Sequence, residues 1–223
     1  MEALNFKDFS NHKLKETEIT NRILNGEKEL YEILVRRNNQ KLYRVIRSYL
    51  KDEAEIEDVM QESYIKGYIK LSQFKSESSF STWLIRIGIN EALARIRENG
   101  KLYRLMELGD GSKDRKILEI LDSKQLNPQE KMIRKEAKKL LEDAIDRLDL
   151  KYRTVYILRE VEEMGIAEIA SVLDLTAGNV KVRLHRAKTM LKERLYELTK
   201  NNEVFEFGFG RCDRITENVM KAI

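Results

Sequence analysis

The chain has 223 residues, 42% apolar and 36% charged, with ten Gly, one Pro and one Cys, and its 42 Lys and Arg exceed its 38 Asp and Glu by four. At roughly 100 to 200 residues per domain this admits one large domain or two small ones and excludes collagen-like or wholly disordered chains. The lone Cys212 excludes an intramolecular disulfide and a cysteine-based zinc site, and neither a signal-like start nor an apolar run long enough to span a bilayer is visible, so a cytoplasmic protein is expected.

β-Branched residues fall inside patterns of three- and four-residue steps, not in alternating runs, so the fold class is all-α. In chain order, helices are expected over 17–25, ended near Gly26, over 27–50 with a bend near Asn38 and Asn39, over 52–72 and over 80–103. These make a first domain, 1–104. Residues 105–127 lose the periodicity in Gly109, Asp110, Gly111 and Ser112 and read as a flexible linker with a weak helical turn at 117–121. Asn127, Pro128 and Glu130 then supply an N-cap, a proline at the first helical position and a carboxylate able to reach back. A second small domain, 128–200, begins there, with helices over 128–148, 150–162, 166–173 and 177–200. The extension 201–223 carries Phe205, Phe207, Phe209, Val219 and Met220, too apolar for a solvated tail, and is expected to pack on a domain or a partner. Within it Cys212, between Arg211 and Arg214, reads either as a buried inert thiol or as a redox-responsive one.

Charge is unevenly spread. Residues 176–200 hold seven Lys or Arg against two acids, whereas 51–64 hold six acids against one Lys. A basic helix suits polyphosphate; an acidic one suits a basic protein partner.

The last two helices, joined by Asp174, Leu175 and Thr176, have the short-turn spacing of a helix-turn-helix. On the final helix Val180, Leu184, Ala187, Leu191 and Leu198 fall on one arc and should pack inward. Asn179, Arg183, Arg186 and Met190 share an exposed arc, flanked by Lys181, His185, Lys188 and Lys192. Arg and Asn can read base edges, while a Lys flank can only position phosphates. A solvated basic helix has the same charge pattern; the capped entry at Thr176 favours DNA.

On the third helix Met60, Tyr64, Gly67, Leu71 and Phe74 define a buried stripe, which turns Asp58, Gln61 and Glu62 outward. An acceptor cluster of this kind suits a partner bearing Arg. Carboxylates in the first turn, Asp52, Glu53 and Glu55, are accounted for by the helix dipole; Glu62 is not. Acid–base catalysis by the pair is rejected, since no His, metal-ligand set or glycine loop accompanies it. The fourth helix is apolar almost all round except for a strip of Arg86, Asn90 and Arg97. The polar loop before it runs from Gln73 to Ser79, with Phe74 and Phe80 at its ends. Such a loop on a rigid helix could hold an unstacked base, whereas Trp83 is expected in the core with contact at its edge.

Taken together, three segments resemble the extracytoplasmic-function (ECF) sigma factors of the sigma-70 family. They are Asp58-Val59-Met60-Gln61-Glu62, the run from Phe80 through Trp83 and Arg86 to Asn90, and Glu168-Ile169-Ala170 followed by the run from Asn179 to Ala187. The resemblance covers about residues 17–104 and 127–198. It implies two helical domains, sigma domain 2 (1–104) and sigma domain 4 (128–200), joined by a linker that runs through the polymerase. It further implies that Asp58, Gln61 and Glu62 dock on the clamp helices of the largest subunit of core RNA polymerase. Phe74, Lys75, Phe80, Arg86, Asn90 and Arg97 would open and read the minus-10 promoter element, and Thr176, Asn179, Lys181, Arg183, Arg186 and Lys188 would contact the minus-35 element. Core RNA polymerase and promoter DNA are the implied partners, an anti-sigma factor a further one; no cofactor, metal, catalytic residue or small-molecule substrate is implied. Gly165 stands where a Ser or Thr often caps the first helix of the helix-turn-helix, at a cost of a few tenths of a kcal/mol.

Two rival readings remain. A stand-alone helix-turn-helix regulator would leave the acidic helix and aromatic loop unexplained and shows no dimerisation heptad. A helical nucleic-acid enzyme is disfavoured with only His12 and His185, no phosphate loop and no metal-ligand spacing.

Overall fold

The structure, a computed structural model, describes residues 14–106 and 128–199, together with Arg214 and residues 218–220; side chains are described over 14–100 and 135–197 and at those four residues. The expected helical turn at 117–121, Cys212 and most of the extension lie outside the described residues, as do the side chains of Leu198 and of the cap at Asn127. Among the described residues every regular element is helical.

The first domain holds α1 (Glu16–Leu24), α2 (Tyr31–Arg47), α3 (Glu53–Ile69) and α4 (Phe80–Met106). α1 ends where the sequence predicts, at Gly26, whose φ of +108° lets the Gly26 N–H reach Ile23 O and the Glu27 N–H reach Arg22 O. That pair of bonds is the Schellman arrangement, which needs a left-handed residue. The segment expected as one helix from 27 divides into a 3-10 turn, Lys28–Leu30, and α2, which continues as helix through Asn38 and Asn39. Asn38 is buried, and its amide donates to Leu34 O at 2.8 Å, satisfying a polar group that would otherwise be costly there. α3 is capped by Asp52, which accepts from the Glu55 N–H, and ends in a 3-10 turn, Leu71–Gln73.

Leu34, Leu42, Ile46, Ile56, Val59, Leu71, Phe80 and Leu84 form the first core. Each fully buried Leu, Ile or Phe side chain contributes about 1.5 to 3 kcal/mol. The expected stripe on α3 is confirmed at Tyr64, Gly67 and Leu71, with Met60 and Phe74 half-buried, but Ile56, Val59 and Ser63 lie deeper than the stripe allowed. α4 approaches its neighbours closely at Gly88: a Cβ there would meet Leu42 Cδ1 of α2 at 2.7 Å and Ser63 Oγ of α3 at 3.5 Å, and Ser63 turns its hydroxyl back to Val59 O.

The second domain holds α5 (Pro128–Asp146), α6 (Leu150–Tyr156), α7 (Ile166–Leu173) and α8 (Ala177–Thr199). α6 passes into a wider π turn, Ile157–Val161, closed by the Glu162 N–H to Ile157 O at 3.0 Å. α7 has the predicted bounds. Its N-cap is Gly165, whose N–H donates to Glu168 Oε2 at 2.8 Å, so the glutamate supplies half of a capping box that glycine itself cannot complete. Ala144, Leu148, Tyr152, Ala187 and Leu191 pack between α5, α6 and α8.

The two domains also share a core. Val45, Ile85 and Ile89 of the first pack with Val155, Leu158, Met164, Ile169, Val172 and Val180 of the second. Polar ties flank this seam. Asp146 takes Arg47 at 2.9 Å and also Lys51, Arg44 meets Glu162 at 3.1 Å, and Thr82 donates to Glu168 at 3.2 Å. The buried Arg153 donates to Ser48 O and Asp146 O, both at 2.7 Å.

Candidate protein and nucleic-acid interfaces

α3 turns Asp58, Gln61 and Glu62 to solvent, as its buried stripe requires. The carboxylates do not stand alone. Arg95 of α4, mostly covered, reaches Glu62 at 3.3 Å and Asp58 at 3.8 Å, with Glu98 at 4.0 Å on its other side. Sequence reasoning passed over Arg95 because its partners sit on another helix. It also passed over Ile65 and Ile69, 53% and 70% exposed, although they continue the face at the steps of three and four that begin at Asp58 and Glu62. The result is an acidic head and an apolar tail on one helix, with Arg95 holding two acids in register.

At the start of α4, Phe74, Phe80 and Trp83 form an aromatic cluster with ring centroids 5.3 to 5.9 Å apart, and Tyr31 closes it from α2 with its ring 6.4 Å from that of Phe80. Of the minus-10 candidates, Lys75, Arg86, Asn90 and Arg97 are exposed and Phe74 is half-buried. Phe80 is fully buried, so it floors the loop and touches nothing outside the protein. Trp83 is half-buried, as expected. The exposed loop is anchored at its end: Ser79 Oγ accepts from the Thr82 N–H at 3.1 Å, and the Phe80 N–H donates to Glu16 at 3.0 Å. A carboxylate at a helix N-terminus also complements the dipole. Burial pushes the phenols of Tyr31 and Tyr64 well above their ordinary range.

In the second domain Asp174 takes the left-handed conformation, φ 54°, and the Leu175 N–H returns to Ala170 O, which makes the sharp turn between α7 and α8. Asp is among the few non-glycine residues that tolerate this. Thr176 caps α8 through the Asn179 N–H at 3.2 Å, as predicted. Val180, Ala187 and Leu191 are buried and Leu184 half-buried, so the inward arc holds over its described part. Asn179, Lys181 and Arg186 are exposed, whereas Arg183 is half-buried. Lys188 is tied to Glu160 of its own domain at 2.9 Å, and Arg186 lies 3.4 Å from the Tyr152 hydroxyl. The structure brings Arg183 together with Arg86 and Asn90: all three line one cleft of about 700 Å³ between the domains.

The chain is similar to known proteins over both domains. The family description "Sigma-70 region 2" matches residues 34–102 and "Sigma-70, region 4" matches residues 138–191. The ECF RNA polymerase sigma factor SigW of Bacillus subtilis is 29% identical over 173 residues, 78% of this chain and 92% of that protein. The RNA polymerase sigma-H factor of Pseudomonas aeruginosa is 29% identical over 193 residues, 83% of this chain and 96% of that protein. Among solved structures, the sigma factor RpoE of Bartonella quintana, in complex with the anti-sigma factor NepR, matches with a TM-score of 0.60 at 19% identity, over 74% of this chain and 96% of that one. CnrH, in complex with the cytosolic domain of CnrY, matches with a TM-score of 0.53 at 23% identity, over 80% and 96%. An all-helical chain with region 2 and region 4 in this order defines a class, the transcription initiation factors. The chain belongs to the sigma-70 family, in its ECF group. Sigma factors are not catalytic enzymes in their family role, and among the described residues no helix is long and apolar enough to cross a membrane.

Proposed function

We propose that the protein is an alternative sigma factor that works in the cytoplasm, binds core RNA polymerase and directs initiation at particular promoters, itself performing no catalysis. The observation that carries this is the matched order of the two sigma regions, one bearing an exposed acidic face and the other a capped helix-turn-helix. Residues 1–104 act as the polymerase-binding and minus-10 domain, 105–127 as linker and 128–200 as the minus-35 domain. Asp58, Gln61 and Glu62 offer acceptors to a basic surface on the polymerase clamp helices, with Ile65 and Ile69 adding apolar contact. At the minus-10 element Lys75 and Arg97 hold backbone phosphate, and Arg86 and Asn90 offer base-edge donors and acceptors. Phe74 and the floor built on Phe80 support a base taken out of the stack. Trapping that base drives melting without nucleotide hydrolysis. At the minus-35 element Asn179, Arg183 and Arg186 face base edges, Lys181 and Lys188 the phosphates, and Thr176 positions the start of α8. The structural relatives' partners make an anti-sigma factor a partner to seek here too.

The test is in vitro transcription from a pool of promoter fragments with purified core polymerase, with the protein and with its Asp58→Ala/Glu62→Ala variant. Initiation from a subset of fragments, lost in the variant through weaker core binding, is the expected result. A protein that shifts promoter duplex tightly without polymerase and starts no transcript would instead be a stand-alone regulator.

A further inference from the structure

The second domain carries an open groove on the side where its last helix ends. Ala144 and Leu148 floor it, Met190 of α8 stands on its wall at 40% exposed, and Arg147, Arg194 and Glu197 lie at its rim, around a volume of about 230 Å³. Leu140 and Leu141, 44% and 38% exposed, precede Ala144 by four and three residues and so continue the apolar face along α5. Nothing among the described residues covers this face. The extension beyond α8 has the complementary pattern in its sequence. The region 4 match stops at residue 191, and residues 200–213 lie outside the described residues. There Phe205, Phe207 and Phe209 alternate with Glu206, Gly208 and Gly210. Extended chain sends alternate side chains to opposite sides, so this spacing sets three rings on one side and leaves a carboxylate and two glycines on the other.

We propose that the groove between α5 and α8 is the docking site of the chain's own segment 203–209, with one ring in the groove and its neighbours over Leu140 and Leu141. Reach favours this occupant. Glu197 at the rim lies two residues before Thr199, where α8 ends. From Thr199 back to Met190 is about 14 Å along the helix at 1.5 Å per residue, and the six residues from Thr199 to Phe205 extend to about 20 Å. Phe205 therefore reaches Met190 with chain to spare. So short a tether holds the segment at an effective concentration in roughly the millimolar range, far above that of a second copy in dilute solution. Charge agrees as well: Glu203, two residues before Phe205 and hence on the same side as the rings, is the carboxylate that meets the arginines at the rim. The inference concerns the packing of the second domain and stands apart from the sigma reading.

The experiment uses Cys212, the chain's one cysteine, three residues past Phe209. It carries a nitroxide on the full-length chain with isotope-labelled methionine methyls, the Met190 signal being assigned through Met190→Leu. Because the tethered contact is mostly occupied, the Met190 methyl should lose more than about half its intensity and regain it when ascorbate reduces the nitroxide. The Met60 methyl of the first domain should stay unchanged. Replacing Phe205, Phe207 and Phe209 together by Ser should abolish the Met190 effect, and Leu141→Asp should weaken it, while Met164 in the core keeps its chemical shift and shows that the domain stays folded. A Met190 methyl no more broadened than that of Met60 leaves the groove to a partner outside the chain and overturns the proposal. Broadening that survives the triple Phe→Ser change reports the tether alone and overturns it too. Mixing labelled, nitroxide-free chain with unlabelled, nitroxide-bearing chain should leave Met190 sharp; broadening there makes the occupant a second copy and overturns the intramolecular docking.

Discussion

Two glycines on α4 offer an internally controlled test of the packing that carries the candidate minus-10 strip. A methyl on Gly88 would lie 2.7 Å from Leu42 Cδ1 and 3.5 Å from both Ile46 Cδ1 and Ser63 Oγ, while a methyl on Gly100 would meet nothing within 4 Å. Carbon atoms rest at about 3.5 to 4.0 Å, so Leu42 must retreat by roughly 1 Å. Leu42 is fully buried, so it retreats only against neighbouring core side chains. Overpacking of this kind costs about 1 to 3 kcal/mol, and replacing a helical glycine by alanine returns about 1 kcal/mol at either site. Gly100→Ala should therefore stabilise the first domain by about 0.5 to 1 kcal/mol. Gly88→Ala should destabilise it by about 1 kcal/mol, and the difference of roughly 2 kcal/mol is the steric term alone. Urea unfolding followed by the fluorescence of Trp83, the chain's one tryptophan, reads that domain specifically. Trimming the obstacle with Leu42→Val in the Gly88→Ala background should recover part of the loss beyond additivity. Equal or greater stability of Gly88→Ala relative to Gly100→Ala would refute the close α2/α4 approach.

Replacing Arg95 by Ala should leave Asp58 and Glu62 unpaired by their own protein and change the affinity for core polymerase by about 0.5 to 1 kcal/mol, measured by fluorescence anisotropy; no change would mean the three residues act apart. Lys181→Ala should reduce the salt dependence of minus-35 binding by close to one counterion without altering which sequence is preferred, as shown by titration of promoter duplex at several salt concentrations. The phenols of Tyr31 and Tyr64 are pushed up chiefly by burial. A raised value means their contribution to stability is full below the ordinary phenol range near 10 and is lost as pH rises through the raised value. Alkaline difference spectra should accordingly show Tyr31 and Tyr64 among the tyrosines that ionise late, together with unfolding of the first domain and after the exposed ones.

How much of this was legible beforehand follows the range of the interactions involved. The bounds of α7, the cap at Thr176, the stop at Gly26 and the outward turn of Asp58 and Glu62 depend on residues within a turn or two of one another, and sequence periodicity carries them. The split of 27–50 into a 3-10 turn and α2 was not visible, because its start has no side-chain cap. Arg95 was missed because its partners are about a helix pair away in sequence, and Arg153 because a buried guanidinium bonded to carbonyls of Ser48 and Asp146 looks, in sequence, like any surface arginine. The fourth helix is legible as apolar almost all round, but which core Ile85 and Ile89 join, and with them Val45 of α2, depends on the placing of one domain against the other.

That placing has an energetic consequence. Burial of Val45, Ile85 and Ile89 is worth at most about 1.5 to 3 kcal/mol each, an upper limit because neighbouring helices keep part of each side chain covered when the seam opens. The Arg47–Asp146 pair, partly exposed, contributes about 0 to 1 kcal/mol, whereas the Glu162 carboxylate beside Arg44 is almost fully covered and gives back through desolvation part of what its pair contributes. Burial holds the Arg153 guanidinium below its ordinary value, so that group gives back part of what its hydrogen bonds contribute.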